Sequence, residues 1–368
     1  MKLKLKETPE QVELIRALGS KDKNVSAEAA SAFAAFIGPV IAKVLQVAAT
    51  STAIYTDSSY DEDDSPSYPL DLYYNETETG YISVWSQSMA GGLPTSQVEG
   101  VAELKLSTYR LDSAVSWMKK YARKSRLDIV SKALERMAQE ILIKQERNAW
   151  AVILKALGEA TALTGSAGGH ILPSANKKLM LDDLNKMLTM MRRMNTAWTG
   201  EHSSVDVFGL TDLFVSPEIK EDIRGFAYNA MNVAGGGNMG DVKSDIALPD
   251  GMREDIFRSG GSSSLYGMRI HDLLELGVGD NRKYNKLFET FHSGFDATDH
   301  EILIGVDGGR GAFIRPVARQ HDSGGSFLVL PDDQWVARAD KVGFYGFLEE
   351  GRVCIDSRAI AGLDMDKS

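Results

Sequence analysis

An α+β fold with an antiparallel bias is predicted for this 368-residue chain. Three features point that way: an apolar stripe at helical spacing through residues 125–157, apolar–polar alternation through 70–110, and short apolar runs between Gly and Asp turns from 265 onward. With 43% hydrophobic and 25% charged residues, the composition is that of a soluble globular protein long enough for two or three core-bearing units. A net charge of -10 argues against the chain as a whole being a basic nucleic-acid binder. The single Cys354 excludes an internal disulfide framework and a C-x-x-C metal knuckle, so an intracellular origin fits best.

Residues 1–25 are charged, carry little core and read as an arm, and their sequence has no continuous apolar segment of the secretory kind. FAAFIGPVIAKVLQVAA, residues 33–49, reads as a buried, kinked core helix and not a bilayer span, because Gly38-Pro39 and Lys43 interrupt it. LDLYYNETETGYISVW and VAELKLSTYRL alternate, with the Gly- and Pro-bearing SMAGGLPTSQ between them, which predicts a long two-stranded hairpin with a mobile tip.

The segment 125–157 places Leu127, Val130, Leu134, Met137 and Ile141 on one face. A helix of that length spans about 50 Å, far beyond the usual three or four turns. Asp128/Lys132, Arg136/Glu140 and Glu140/Lys144 sit four apart and are expected to support it as ion pairs. Residues 181–195 predict a second helix, with Met187, Met190, Met191 and Met194 read as core and not as a binding surface. VDVFGLTDLFV then reads as a strand, and SPEIKEDIRGFAYNAMNVA as a helix with Ser216 at the N-cap and Pro217 at N1.

Catalytic and cofactor signals fail in context. Gly235, Gly237 and Gly240 spell G-x-G-x-x-G but follow a helix, and no helix opens after them, so a surface loop is expected and no nucleotide site. HEILI at His300 lacks the second histidine of a zinc-protease motif. His292, Asp296, Asp299, His300 and Glu301 cluster within ten residues, and YDEDDS holds four acids, but neither has EF-hand spacing and both read as solvated loops. His271 reads as a hydrogen-bonded core histidine. No nucleophile, base and orienting group can be assembled, so no enzyme, cofactor or metal is expected.

In its order of elements the chain resembles the major capsid proteins of tailed bacteriophages, the fold named after phage Hong Kong 97. The resemblance covers residues 26–366. It is carried by LSTYRLDSAVSW leading into LDIVSKALERMAQEILIKQERNAW, then LFVSPEI, LYGMRI and the terminal GRVCIDSRAI. It implies a Hong Kong 97-like α+β fold with an N-terminal arm (1–25), a peripheral domain (26–56, 105–200 and 335–368) containing a spine helix at 125–157, an extended loop (57–104), and an axial domain (201–334). The glycine run would be a loop of that axial domain.

The resemblance further implies a structural protein, self-assembling into pentamers and hexamers of an icosahedral virion shell in the host cytoplasm, around double-stranded DNA contacted non-specifically. A portal protein, a separate scaffolding protein and a cement or decoration protein are the implied partners, with no membrane. Only about 25 residues precede the first core helix, so no fused scaffolding domain is expected. The alternatives are an encapsulin, a cellular compartment of the same fold whose members tend to be shorter, and a nucleotide-dependent enzyme using the glycine run.

Charge suggests where subunits meet. Residues 44–104 hold no Lys or Arg and ten acids, while 105–126 hold seven cations (Lys105, Arg110, Lys119, Lys120, Arg123, Lys124, Arg126) against Asp112 alone. Within the resemblance, Asp61, Glu62, Asp63 and Asp64 of one subunit are expected to lie over Lys119, Lys120, Arg123, Lys124 and Arg126 of its neighbour. Some relatives also close an isopeptide bond between a loop Lys and an Asn of the peripheral domain. Here no Lys lies between Lys43 and Lys105, and no Asn follows Asn285, so no such cross-link is expected.

Overall fold

A computed structural model describes residues 8–48, 50–61, 64–69, 103–124, 127–161, 167–174, 177–195, 209–225, 254, 264–277, 282–319, 327–332 and 340–367. Residues 70–102, which hold the first strand and the tip of the expected hairpin, the glycine run and Glu62, Asp63 and Arg126 lie outside these residues. The chain divides into two compact units, one of Met1–Ser67, Lys105–Ala149 and Ile314–Val353, the other of Tyr68–Leu104, Trp150–Phe313 and Cys354–Ser368.

The first unit begins with α1 (Pro9–Leu18), which has Pro9 at its start, Glu10 in the first turn and Arg16 in the last, each matching the helix dipole. Ile15 and Leu18 are buried in the core. This corrects the reading of 1–25 as an arm with little core, for residues 9–18 at least: the helix buries a narrow stripe beneath a charged outer face. α2 (Lys23–Ala48) starts ten residues earlier than expected and contains Pro39. Asp22 Oδ1 accepts from Asn24 N at 3.0 Å, and the Ser26 hydroxyl donates to Leu18 O at 3.0 Å, joining the two helices. Lys23–Ile41 is long and apolar enough to cross a membrane by composition. Its Ala30, Phe33, Ala34, Ile37 and Ile41 face the protein core.

The sheet of this unit runs β1 (Thr56–Asp61), β10 (Phe313–Arg319), β12 (Lys341–Glu350), β11 (Phe327–Asp332), and β4 (Tyr109–Met118) also pairs with β12. β1 and β10 are parallel. β4 and β12 are antiparallel from Lys341↔Met118 to Glu350↔Tyr109, so Phe344 and Trp117 share the core face. Their rings stack at 5.3 Å, and Phe33 of α2 meets Phe344 at 5.2 Å. A side chain such as Phe344, fully buried, contributes about 1.5–3 kcal/mol by leaving water. At the expected loop root, β2 (Ser67–Pro69) pairs with β3 (Glu103–Lys105).

Helix α4 (Leu127–Glu159) matches the long periodic segment to within two residues, and Val130, Leu134, Met137 and Ile141 are buried as the stripe requires. The boundary between the units falls within it. Among the described residues the expected Arg136/Glu140 and Glu140/Lys144 ion pairs do not form, and Lys155–Glu159 at 3.8 Å does. Exposed pairs of this kind contribute only a few tenths of a kcal/mol, so packing of the stripe decides the helix.

In the second unit the strand order is β5 (Ile171–Ser174), β14 (Ile360–Asp366), β9 (His300–Val306), β6 (Asp212–Val215), β8 (Met268–Asp272), β7 (Ser264–Leu265). β14–β9, β9–β6 and β7–β8 are antiparallel, whereas β5–β14 and β6–β8 are parallel, so the sheet is mixed. α5 (Leu181–Asn195) buries Leu184, Met187, Met191 and Met194 against Leu303, Leu363 and Met365, which places the methionines in the core. A Cβ at Gly305 would lie 2.5 Å from Met187 Cε and 2.7 Å from Leu210 Cδ2, so a larger residue there would make these side-chain ends shift.

The expected strand at 205–215 is short, Asp212–Val215. α6 (Pro217–Gly225) follows it with Ser216 as N-cap, its Oγ accepting from Ile219 N at 3.1 Å. The remainder of the helix expected to 234 lies outside the described residues. α7 (Lys283–Phe291) contributes Phe288 and Tyr284 to the interior, and Trp150 meets Phe214 edge-on at 5.0 Å. The turn between β7 and β8, Tyr266-Gly267, has positive φ at both positions, as tight hairpins require.

Cys354, in β13 (Val353–Cys354), donates weakly to Asp356 O at 3.5 Å, and burial pushes its thiol up to about 12. Since only the thiolate alkylates readily, the native protein is expected to resist iodoacetamide at neutral pH and to react fully in concentrated urea. Mass spectrometry of the two samples checks this, and rapid native labelling would refute the raised thiol of this half-buried cysteine.

Candidate assembly surface

Within the described part of the basic segment, 119–124, the cations differ in exposure. β4 ends at Met118, which caps the five-residue helix α3 (Lys119–Arg123). Lys119 is 6% exposed, and its N–H donates to Asp340 O at 2.9 Å. This corrects its assignment as a contact residue: the strand-to-helix turn directs it inward, where a long aliphatic stem is tolerated. Arg123 is committed within its own chain, donating from Nε to Gly19 O at 2.7 Å and pairing with Asp340 at 3.3 Å. A Cβ at Gly19 would lie 2.6 Å from Arg123 N, so the contact demands glycine. Lys120 and Lys124 are exposed, with Lys120 Nζ 5.0 Å from the Tyr121 ring centre.

On the acidic side Asp61 and Asp64 are exposed, and Asp64 turns the chain by accepting from Ser65 N at 2.9 Å. Asp57, on β1, reaches Arg315 at 3.4 Å. The described part of the expected contact therefore reduces to Asp61 and Asp64 for the acids and Lys120 and Lys124 for the free cations.

At the other end of the β4–β12 pair, where Glu350 faces Tyr109, lies a feature that sequence patterning missed. Glu350, at the end of β12, is 0% exposed. It accepts from Arg315 Nε at 2.8 Å, Gln145 Nε2 at 3.0 Å, the Tyr109 hydroxyl at 3.1 Å and Arg352 Nη2 at 3.5 Å. Arg352 also lies 4.6 Å over the Tyr55 ring. Burial, reinforced by the Glu350 charge, pushes the Tyr109 hydroxyl up to about 12, so it remains a donor. Glu349, one residue earlier and on the other face, instead accepts from Tyr60 at 3.0 Å and Thr108 at 2.6 Å. The adjacent acids in FLEEGR were the available signal, since strand alternation sends one of them inward.

The His/Asp cluster of 292–301 disperses. Among the described residues no group of three or more His, Cys, Asp or Glu side chains is placed to hold a metal ion. His300 pairs with Asp364 at 2.9 Å; partial burial disfavours its charged form, but the Asp364 hydrogen bond and charge outweigh this and raise it. Asp296 turns the local backbone through Thr298 N at 2.9 Å. His271 hydrogen-bonds Asp212 at 2.8 Å and stacks on Phe214 at 4.8 Å, half-buried and not fully enclosed.

No protein-family model and no curated protein matches the chain. Solved structures do. The capsid structure of the cyanophage P-SCSP1u matches with a TM-score of 0.54 and 13% identity, over 85% of this chain and 87% of that one. A structure from Microbacterium phage Oxtober96 matches at 0.52 and 14%, over 86% and 91%. The mature capsid of bacteriophage PhiM1 matches at 0.51 and 10%, over 86% and 87%. Together with the mixed α+β architecture described above, these likenesses establish that the chain has the Hong Kong 97-type fold of tailed-phage capsid proteins.

Proposed function

We propose that this chain is a major capsid protein that assembles into the pentamers and hexamers of an icosahedral virion shell around double-stranded DNA. The observation that supports the reading most is the length of the likeness, 85% of the chain in step with a phage capsid subunit. In this reading 57–104 is the extended loop, α4 is the spine of a peripheral domain completed by 26–56, 105–200 and 335–368, and 201–334 form the axial domain. Assembly takes place in the host cytoplasm with a portal and a separate scaffolding protein, and a decoration protein joins the finished shell. The exposed acids Asp61 and Asp64 of one subunit face Lys120 and Lys124 of the next.

Electron microscopy of the purified chain, with and without the scaffolding protein, tests this, and closed shells are the expected result. Because exposed pairs contribute under about 1 kcal/mol each, Lys120→Glu with Lys124→Glu slows assembly and makes it salt-sensitive while leaving the fold intact. Reversing Asp61 and Asp64 to Lys restores part of the rate. A chain that stays monomeric at all concentrations with its scaffold present refutes the shell, and unimpaired assembly of the lysine variant refutes the contact. Particles that never contain DNA in infected cells point to a cellular compartment instead.

A further inference from the structure

In the second unit three ionisable side chains from separate elements meet at one nitrogen. Lys367, just beyond β14, places Nζ 3.3 Å from Asp222 Oδ2 on α6 and 3.4 Å from Glu301 Oε2 on β9. The meeting is pinned on every side. Lys367 N donates to Asp299 O at 2.8 Å, and Asp222 Oδ2 accepts Leu179 N at 3.2 Å. Glu301 accepts the Ser216 hydroxyl through its other oxygen. Ile219 and Ile223, flanking Asp222 on α6, are buried. Glu301 itself is 0% exposed, and the Lys367 ammonium is the one group that its Oε2 meets among the described residues.

We propose that Lys367 and Asp222 are joined by an intrachain isopeptide bond whose formation Glu301 promotes. The plain reading is an ion triad, but two carboxylates around one ammonium leave an uncompensated negative charge where Glu301 has no water. Burial raises Glu301 above the usual carboxylate range, against the Ser216 hydrogen bond and the Lys367 charge, and in this proposal it enters the reaction as the neutral acid beside the other two groups. The Lys367 ammonium passes a proton to the Asp222 carboxylate across their contact, giving a neutral amine and a neutral acid. The Nζ lone pair attacks Asp222 Cγ. Glu301 takes a proton from the attacking nitrogen through one oxygen and gives its own to the departing hydroxyl. One Nζ–Cγ bond forms, one Cγ–O bond breaks, one water leaves, and Glu301 ends protonated as it began. Fixed geometry replaces the activation that amide formation otherwise needs, and removing both charges of the pair relieves their desolvation. The bond would fasten the end of β14 to α6, residues 145 apart in sequence.

The test is the intact mass of the full chain in denaturing solvent, a reading independent of whether shells form. A mass one water below the sequence mass is expected, with a branched proteolytic peptide joining the Lys367 and Asp222 segments. Lys367→Arg and Glu301→Gln should restore the full mass. Asp222→Asn should lose ammonia in place of water, because its leaving group is the amide nitrogen. Full sequence mass in the wild-type folded protein overturns the proposal, whatever the variants do.

Discussion

Replacing Glu350 with Ala is expected to destabilise the first unit by about 3–5 kcal/mol, the cost of leaving buried charges without their partner. The variant strands the guanidiniums of the buried Arg315 and Arg352 and removes the acceptor for Gln145 and Tyr109. Arg352 Nε already lacks a partner among the described residues, so the site has little spare capacity to re-pair. Against a typical total stability of about 5–15 kcal/mol, that loss is a large share of the whole, and a chain near the low end of that range would unfold to a sizeable fraction at ambient temperature. Urea titration measures it, with Glu349→Ala as the comparison. Glu349 is half-buried and serves two hydroxyl donors, so its loss is expected to cost about 1–2 kcal/mol. Equal effects of the two substitutions would show that the buried cluster carries no special weight.

The contrast between these two glutamates shows what sequence could and could not convey. Where one face of a regular element carries the whole signal, the reading succeeded: the stripe of α4, the Ser216 cap and the core methionines of α5 all depend on spacing within a single segment. Where the decision belongs to a partner far along the chain, it failed. Lys119 and Lys120 look alike as letters, and only the exit angle from β4 buries one and exposes the other. α1 was hidden because only Ile15 and Leu18 are buried beneath its charged face, a stripe too narrow to stand out. The Glu350 cluster needs β10 and β12 in register, Val317 opposite Glu350, before Arg315 and Glu350 become neighbours. The triad at Lys367 likewise joins three elements that no local pattern connects.

If the chain builds a shell, mature particles boiled in denaturing detergent and reducing agent should release a single band at 40.2 kDa, with no ladder of multimers. A cross-link between a loop lysine and an asparagine of the peripheral domain needs a lysine able to lose its proton in a desolvated site and a carboxamide within reach. The loop segment between Lys43 and Lys105 has no lysine, and the chain beyond Asn285 has no asparagine. Asn285 itself is buried, its side-chain nitrogen donating to Gly277 O and His300 O. The buried carboxylate at Glu350, ringed by two arginines, is held as an ion-pair partner and is poorly placed to move protons for a neighbour. The proposed Lys367–Asp222 bond lies within one chain and leaves the band at the monomer position. Shell strength must then reside in buried area and overlapping segments, so dissociation should follow denaturant concentration smoothly and reversibly. A ladder of multimers that survives boiling and reduction would place an amide-forming pair elsewhere and refute this assignment.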